Sequence, residues 1–124
     1  MKILLIEDNL LNQKVVGYHL VKSNYEIVYA TNGRDAMEEI KINPPDLILM
    51  DIVLPGKNGF EITAEIRALE KDKNISDGVP IIALTANTLD NDKEKCINAG
   101  MNDYLAKPFT AEELLEVIKR FEKE

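Results

Sequence analysis

Four short, mostly apolar runs end in residues that can do chemistry. Ile3-Leu4-Leu5-Ile6 is followed by Glu7-Asp8, Leu47-Ile48-Leu49-Met50 by Asp51, Ile81-Ile82-Ala83-Leu84 by Thr85, and Asp103-Tyr104-Leu105-Ala106 by Lys107. Three carboxylates gathered in one crevice would force up at least one pKa unless a cation lay between them. Their hard oxygens suit Mg²⁺, which favours octahedral oxygen coordination. A threonine hydroxyl and a lysine ammonium across the crevice would offer an incoming phosphoryl oxygen a hydrogen bond and a point charge. Together these residues form a phosphoryl-transfer layout.

The elements that must gather them follow from periodicity. Brief apolar runs alternate with longer amphipathic ones, the pattern of βα units around a parallel sheet buried on both faces. Strands are predicted over Ile3–Ile6, Ile27–Ala30, Leu47–Met50, Ile81–Leu84 and Asp103–Ala106, and helices over Leu10–Lys22, Arg34–Ile42, Phe60–Leu69, Asp90–Ala99 and Ala111–Glu122. In the last helix Leu114, Leu115, Ile118 and Phe121 form an apolar stripe, and Thr110 with Glu113 has the spacing of a capping box. Asn32-Gly33, Pro44-Pro45, Pro55-Gly56, Asn58-Gly59, Asp77-Gly78 and Gly100 punctuate the elements. The fold class is α/β: a single-domain, doubly wound, five-stranded parallel sheet. Right-handed crossovers bring all strand C-termini to one edge, and a strand order of 2-1-3-4-5 sets the first and third side by side at the switch point.

A chain of 124 residues suits one domain over 1–124. The composition, 45% hydrophobic and 30% charged, is that of an ordinary soluble globular chain. Its net charge of -7 repels phosphate backbones and anionic lipid, which removes the electrostatic basis for direct nucleic-acid or membrane-surface binding. The single cysteine, Cys96, reads as a small buried hydrophobe. No apolar run reaches the ~20 residues that cross a bilayer, and the start is too short and too soon acidic for a signal peptide, so the expected location is cytoplasmic.

Taken together, Glu7-Asp8, Asp51 at the end of Asp46-Leu47-Ile48-Leu49-Met50, Leu54-Pro55, Gly59, Thr85-Ala86 and Lys107-Pro108 resemble the receiver domain of two-component response regulators, over essentially the whole chain. The chemotaxis regulators share this flavodoxin-like (βα)5 fold. The resemblance implies a phosphorelay switch rather than an enzyme acting on outside substrates. Asp51 would accept a phosphoryl group from a phosphohistidine of a histidine kinase or histidine phosphotransfer protein. Asp8, Asp51 and the Val53 carbonyl would bind Mg²⁺, with Glu7 assisting through water, and Lys107 would neutralise charge. Thr85 and Tyr104 would form the switch, and Lys107-Pro108 would be a cis peptide bond. Val53 and Asn87 would flank the site and influence attack by water on the acyl phosphate. The donor would dock near Leu10 and Leu11, and output would leave through the fourth helix, fifth strand and fifth helix, from a monomer or a phosphorylation-dependent dimer. Glu7-Asp8-Asn9 with Asn12-Gln13 looks like receivers of hybrid histidine kinases.

Each residue also has a plainer reading. An acidic pair after a strand favours the positive end of a helix dipole, a strand threonine can satisfy backbone, and a lysine can be a surface charge. Tyr104 packs in any case, His19 reads as a surface or rim residue, and Glu70–Asp77 reads as a polar loop. The rival functions fail on single positions. A phosphatase of the haloacid-dehalogenase type needs an aspartate where Val53 stands, and a flavodoxin's flavin phosphate would be repelled by Glu7-Asp8. A degenerate receiver would have lost positions that this chain keeps.

Overall fold

The apolar runs pair into one parallel sheet in the computed structural model, which describes residues 1–74, 78–86 and 90–122. Strands β1 (Lys2–Ile6), β2 (Glu26–Ala30), β3 (Leu47–Asp51), β4 (Ile81–Thr85) and β5 (Asp103–Ala106) alternate with helices α1 (Leu10–Lys22), α2 (Gly33–Ile42), α3 (Gly59–Asp72), α4 (Asp90–Asn98) and α5 (Ala111–Lys119). The sheet order is β2-β1-β3-β4-β5, as expected.

Strand side chains point alternately to the two faces, so each central strand feeds two cores. Leu4, Ile6, Ile48, Met50, Ile81 and Ala83 pack with Ala36 of α2, Ile62 and Ile66 of α3 and Cys96 of α4. Ile3, Leu5, Leu47, Leu49, Ile82 and Leu84 pack with Val16 and Leu20 of α1 and Leu114, Val117 and Ile118 of α5. Cys96 is fully buried, in keeping with its apolar reading. Among the described residues, no helix is long and apolar enough to cross a membrane.

Capping sets the helix starts. The side chains of Asn9, Asn32, Asn58 and Thr110 each accept a hydrogen bond from a backbone N–H in the first turn of the following helix. The capping box expected at Thr110 and Glu113 is present, and Asn58 with Glu61 forms a second.

Two helix ends differ from expectation by three residues, the remaining element bounds by no more than one. Helix α3 continues past Leu69 to Asp72, so Glu70 belongs to a helix and not to a loop. Its carboxylate accepts from Val79 N–H at 2.7 Å and from Arg67 Nη1 at 2.7 Å. Arg67 also donates to Gly100 O and to Asn102 Oδ1, both at 2.9 Å, which ties the end of α3 to the turn before β5. Helix α5 stops at Lys119 because its last turn tightens, with Arg120 N–H bonding Val117 O and Phe121 N–H bonding Ile118 O. Leu114 and Ile118 of the expected stripe are buried, Val117 joins them, and Leu115 and Phe121 are only half-buried.

Candidate functional site

Register decides which strand-end side chains meet. Ile6 pairs with Met50 across β1 and β3, so the next residues, Glu7 and Asp51, leave the sheet beside each other and on the same side. Thr85 pairs with Ala106 at the ends of β4 and β5, and the Lys107 N–H donates to Thr85 O at 2.7 Å. That bond holds Lys107 against the sheet edge. Its Nζ lies 3.4 Å from Glu7 Oε1 and 3.3 Å from Asp51 Oδ2. Carboxylate oxygens of Glu7, Asp8 and Asp51 all fall within 4.8 Å of one another.

The charges in this cluster do not balance. Among the described residues, the cluster holds three carboxylates, and the Lys107 ammonium lies beside two of them, Glu7 only 2% and Asp51 only 7% exposed. Buried charge is costly unless paired, and Lys107 compensates only part of it. Oxygens opposite each other around Mg²⁺ stand about 4 Å apart, so a small contraction of the cluster would make it a ligand set. Asp8 is exposed, which leaves the crevice open to a hydrated ion. The donor set therefore fits a hard divalent cation.

The loop after β3 presents Asp51. Val53 N–H donates to Asp51 Oδ1 at 3.1 Å, which fixes the carboxylate plane. Gly59 N–H returns to Ile52 O at 2.8 Å and closes the loop onto itself. A Cβ at Gly59 would meet Asp51 O at 2.7 Å and the Ile52 Cα at 2.9 Å. Both are backbone atoms that cannot move aside without shifting Asp51, so Gly59 permits the close approach.

Thr85 is 5% exposed, and Tyr104 is half-buried with Lys93 Nζ 5.9 Å from its ring centroid. The Lys107-Pro108 peptide bond is cis. Asn87 lies outside the described residues. His19 stands on α1 with its ring edge-on to Tyr18, away from the carboxylates.

Sequence reasoning set Lys107 across the crevice from the acids, whereas it stands between two of them. Gln13, noted in the sequence only as part of the Asn12-Gln13 pattern, is buried, and its Nε2 donates to Glu7 O at 2.7 Å. The signal was available: Gln13, Val16, Gly17 and Leu20 recur at helical spacing and form the buried face of α1. A polar residue in an apolar stripe marks a buried hydrogen bond.

Known proteins share this arrangement. A receiver domain of the sensor histidine kinase PA1611 from Pseudomonas aeruginosa, solved with magnesium coordinated in its active-site cleft, superposes with a TM-score of 0.84 at 45% identity, covering 97% of this chain and 95% of that one. The receiver domain of Saccharomyces cerevisiae Ssk1, solved with the histidine phosphotransfer protein Ypd1, superposes with a TM-score of 0.91 at 35% identity, covering 98% and 88%. Hybrid signal transduction histidine kinase B of Dictyostelium discoideum is 45% identical over 96% of this chain, which spans only 6% of that protein's length. The model of the response regulator receiver domain matches residues 3–119. With its sheet order and acidic strand-end cluster, the chain belongs to the response regulator receiver domain family.

Proposed function

We propose that Asp51 is the phosphoacceptor of this receiver, taking a phosphoryl group from a phosphohistidine on a histidine kinase or histidine phosphotransfer protein. The observation that carries this reading is the cluster of Glu7, Asp8 and Asp51 with Lys107 bridging two of its members. An Asp51 carboxylate oxygen attacks phosphorus in line, the P–N bond breaks, and the leaving imidazole takes up a proton. Asp8, Asp51 and the Val53 carbonyl would hold Mg²⁺, with Glu7 assisting through water, and the ion would neutralise charge on the transferring oxygens. Val53 N–H holds the Asp51 carboxylate in one orientation. Lys107 is anchored by its own backbone and turns its ammonium to the negatively charged phosphoryl oxygens as the group passes onto Asp51. Loss of the phosphoryl group to water at the same atoms would reset the switch, so the domain takes part in both its phosphorylation and its dephosphorylation.

In this reading residues 1–124 act as one cytoplasmic receiver unit, the Thr85 hydroxyl holds the phosphorylated state, and Tyr104 turns inward as it does so. A downstream protein, or a second copy in a phosphorylation-dependent dimer, reads the surface of α4, β5 and α5. Leu10 and Leu11, 65% and 68% exposed beside Asp8, offer the donor an apolar landing. Amide mapping with a phosphotransfer protein should show shifts there, and silence at both residues would sink that docking face.

The direct test is intact-mass analysis with acetyl phosphate, with and without Mg²⁺, alongside binding of a beryllofluoride mimic. One phosphoryl group should add only when Mg²⁺ is present, and the mimic should shift the Tyr104 and Thr85 resonances. No adduct and no mimic binding would leave a receiver fold used as a phosphorylation-independent interaction module.

A further inference from the structure

Gln13 is one of five polar or charged residues buried in the described part of the chain, and it is 7% exposed. It occupies the face of α1 shared with Val16, Gly17 and Leu20, where an aliphatic side chain would pack without a polar group to satisfy. An amide buried without a partner costs roughly 1–3 kcal/mol, so its hydrogen bond has to be made. That bond runs from Nε2 to the Glu7 carbonyl at 2.7 Å. The Glu7 carbonyl belongs to the rigid peptide plane that also carries the Asp8 N–H. Fixing that plane fixes the direction in which Asp8 leaves the strand.

The rest of the segment is held from other sides. Glu7 N–H donates to Ala30 O at 2.9 Å, and Gln13 N–H donates to Asn9 O at 3.0 Å. Asn9 N–H reaches Glu7 Oε2 at 3.4 Å. Asp8 itself is exposed, and its carboxylate oxygen lies within 4.8 Å of the oxygens of Glu7 and Asp51. Without Gln13, the Glu7–Asp8 plane would lose the hydrogen bond from α1, and like-charge repulsion would drive Asp8 outward.

We propose that Gln13 is a positioning residue for the divalent-cation site: its side-chain amide locks the Glu7–Asp8 peptide plane so that Asp8 is held within 4.8 Å of Asp51, a small contraction short of ligand spacing, before any ion arrives. This rests on the reading of the acidic cluster as the Mg²⁺ site. The test is an Mg²⁺ titration, followed by NMR, of the whole chain as wild type, Gln13→Met and Asp8→Asn, with metal-free unfolding measured in parallel. Methionine keeps the length and apolar packing of glutamine and removes the donor. Loss of such an outer partner should raise the Mg²⁺ dissociation constant of Gln13→Met about tenfold. A role confined to stability would lower the metal-free unfolding midpoint and leave the dissociation constant where it was. Unchanged affinity in Gln13→Met, with affinity lost in Asp8→Asn, overturns the proposal and leaves the cation site standing. Unchanged affinity in Asp8→Asn removes the cation site and the proposal with it. If Gln13→Met does not fold, the wild type decides. The Gln13 side-chain amide protons should shift with Mg²⁺ and saturate together with the Asp8 backbone amide, and an unmoved pair at saturation overturns the proposal.

Discussion

Asp51→Asn is expected to take up no phosphoryl group from acetyl phosphate under conditions where the wild type is modified, and to be the more stable protein without Mg²⁺. The first result follows because asparagine offers no carboxylate nucleophile at the strand end. The second follows from charge. The amide oxygen of the substituted side chain would still accept from Val53 N–H, while one of three crowded negative charges disappears from a position that is 7% exposed. Relief of that repulsion should exceed the attraction to Lys107 that is lost, for a net gain on the order of 1–2 kcal/mol. Saturating Mg²⁺ should then raise the unfolding midpoint of the wild type and leave that of Asp51→Asn nearly unmoved, since only a folded state that binds the ion is stabilised by it. Thermal melts of both proteins, with and without Mg²⁺, together with intact mass, check both halves. A residual adduct in Asp51→Asn would move the phosphoacceptor elsewhere.

Lys107→Met is expected to separate phosphorylation from cation binding. Removing the ammonium takes away a positive group aimed at the transferring oxygens, and the rate of uptake from acetyl phosphate should fall about 10²-fold. Cation affinity should change the other way: with the positive charge 3.3–3.4 Å from Glu7 and Asp51 gone, Mg²⁺ should bind more tightly. The metal-free fold should lose about 2 kcal/mol, less than a fully buried pair would cost, because 26% of the Lys107 side chain meets solvent. Mg²⁺ should restore most of that loss. A variant that phosphorylates at the wild-type rate would reduce Lys107 to a structural counter-ion for Glu7 and Asp51.

Much of this molecule can be read from its residues, and the unread part has a common cause. Strand positions were legible because buried parallel strands are continuous apolar runs, and the chemistry was legible because Glu7, Asp8, Asp51, Thr85 and Lys107 interrupt or follow those runs at their C-terminal ends. Capping was legible at Thr110 through its spacing to Glu113. What escaped were interactions between residues far apart in the chain. Lys107 lies 100 residues from Glu7, and nothing local to either says that the ammonium sits between two carboxylates rather than opposite them. The extension of α3 to Asp72 depends on Val79 and Gly100, to which Glu70 and Arg67 are bonded. Helix α1 misleads in a different way: Leu10, Leu11, Val15, Tyr18 and Val21 are exposed although apolar, while Gln13 is buried although polar. Only the sheet's position tells which side of that helix faces inward.

The pairing of Ile6 with Met50 gives the site a parity. Glu7 and Asp51 share a side of the sheet because each stands one step beyond a residue facing the core of α2, α3 and α4. Adding or deleting a single residue within 47–50 would exchange the strand's two buried faces, sending the acceptor carboxylate toward the opposite layer and giving each core the side chains fitted to the other. Two residues would restore the alternation but lift Asp51 about 7 Å away from Glu7. Length changes compatible with the chemistry are therefore confined to the connections at the other edge of the sheet. Over the stretch that ends in Asp51, descendants of this chain can change letters but cannot change their count.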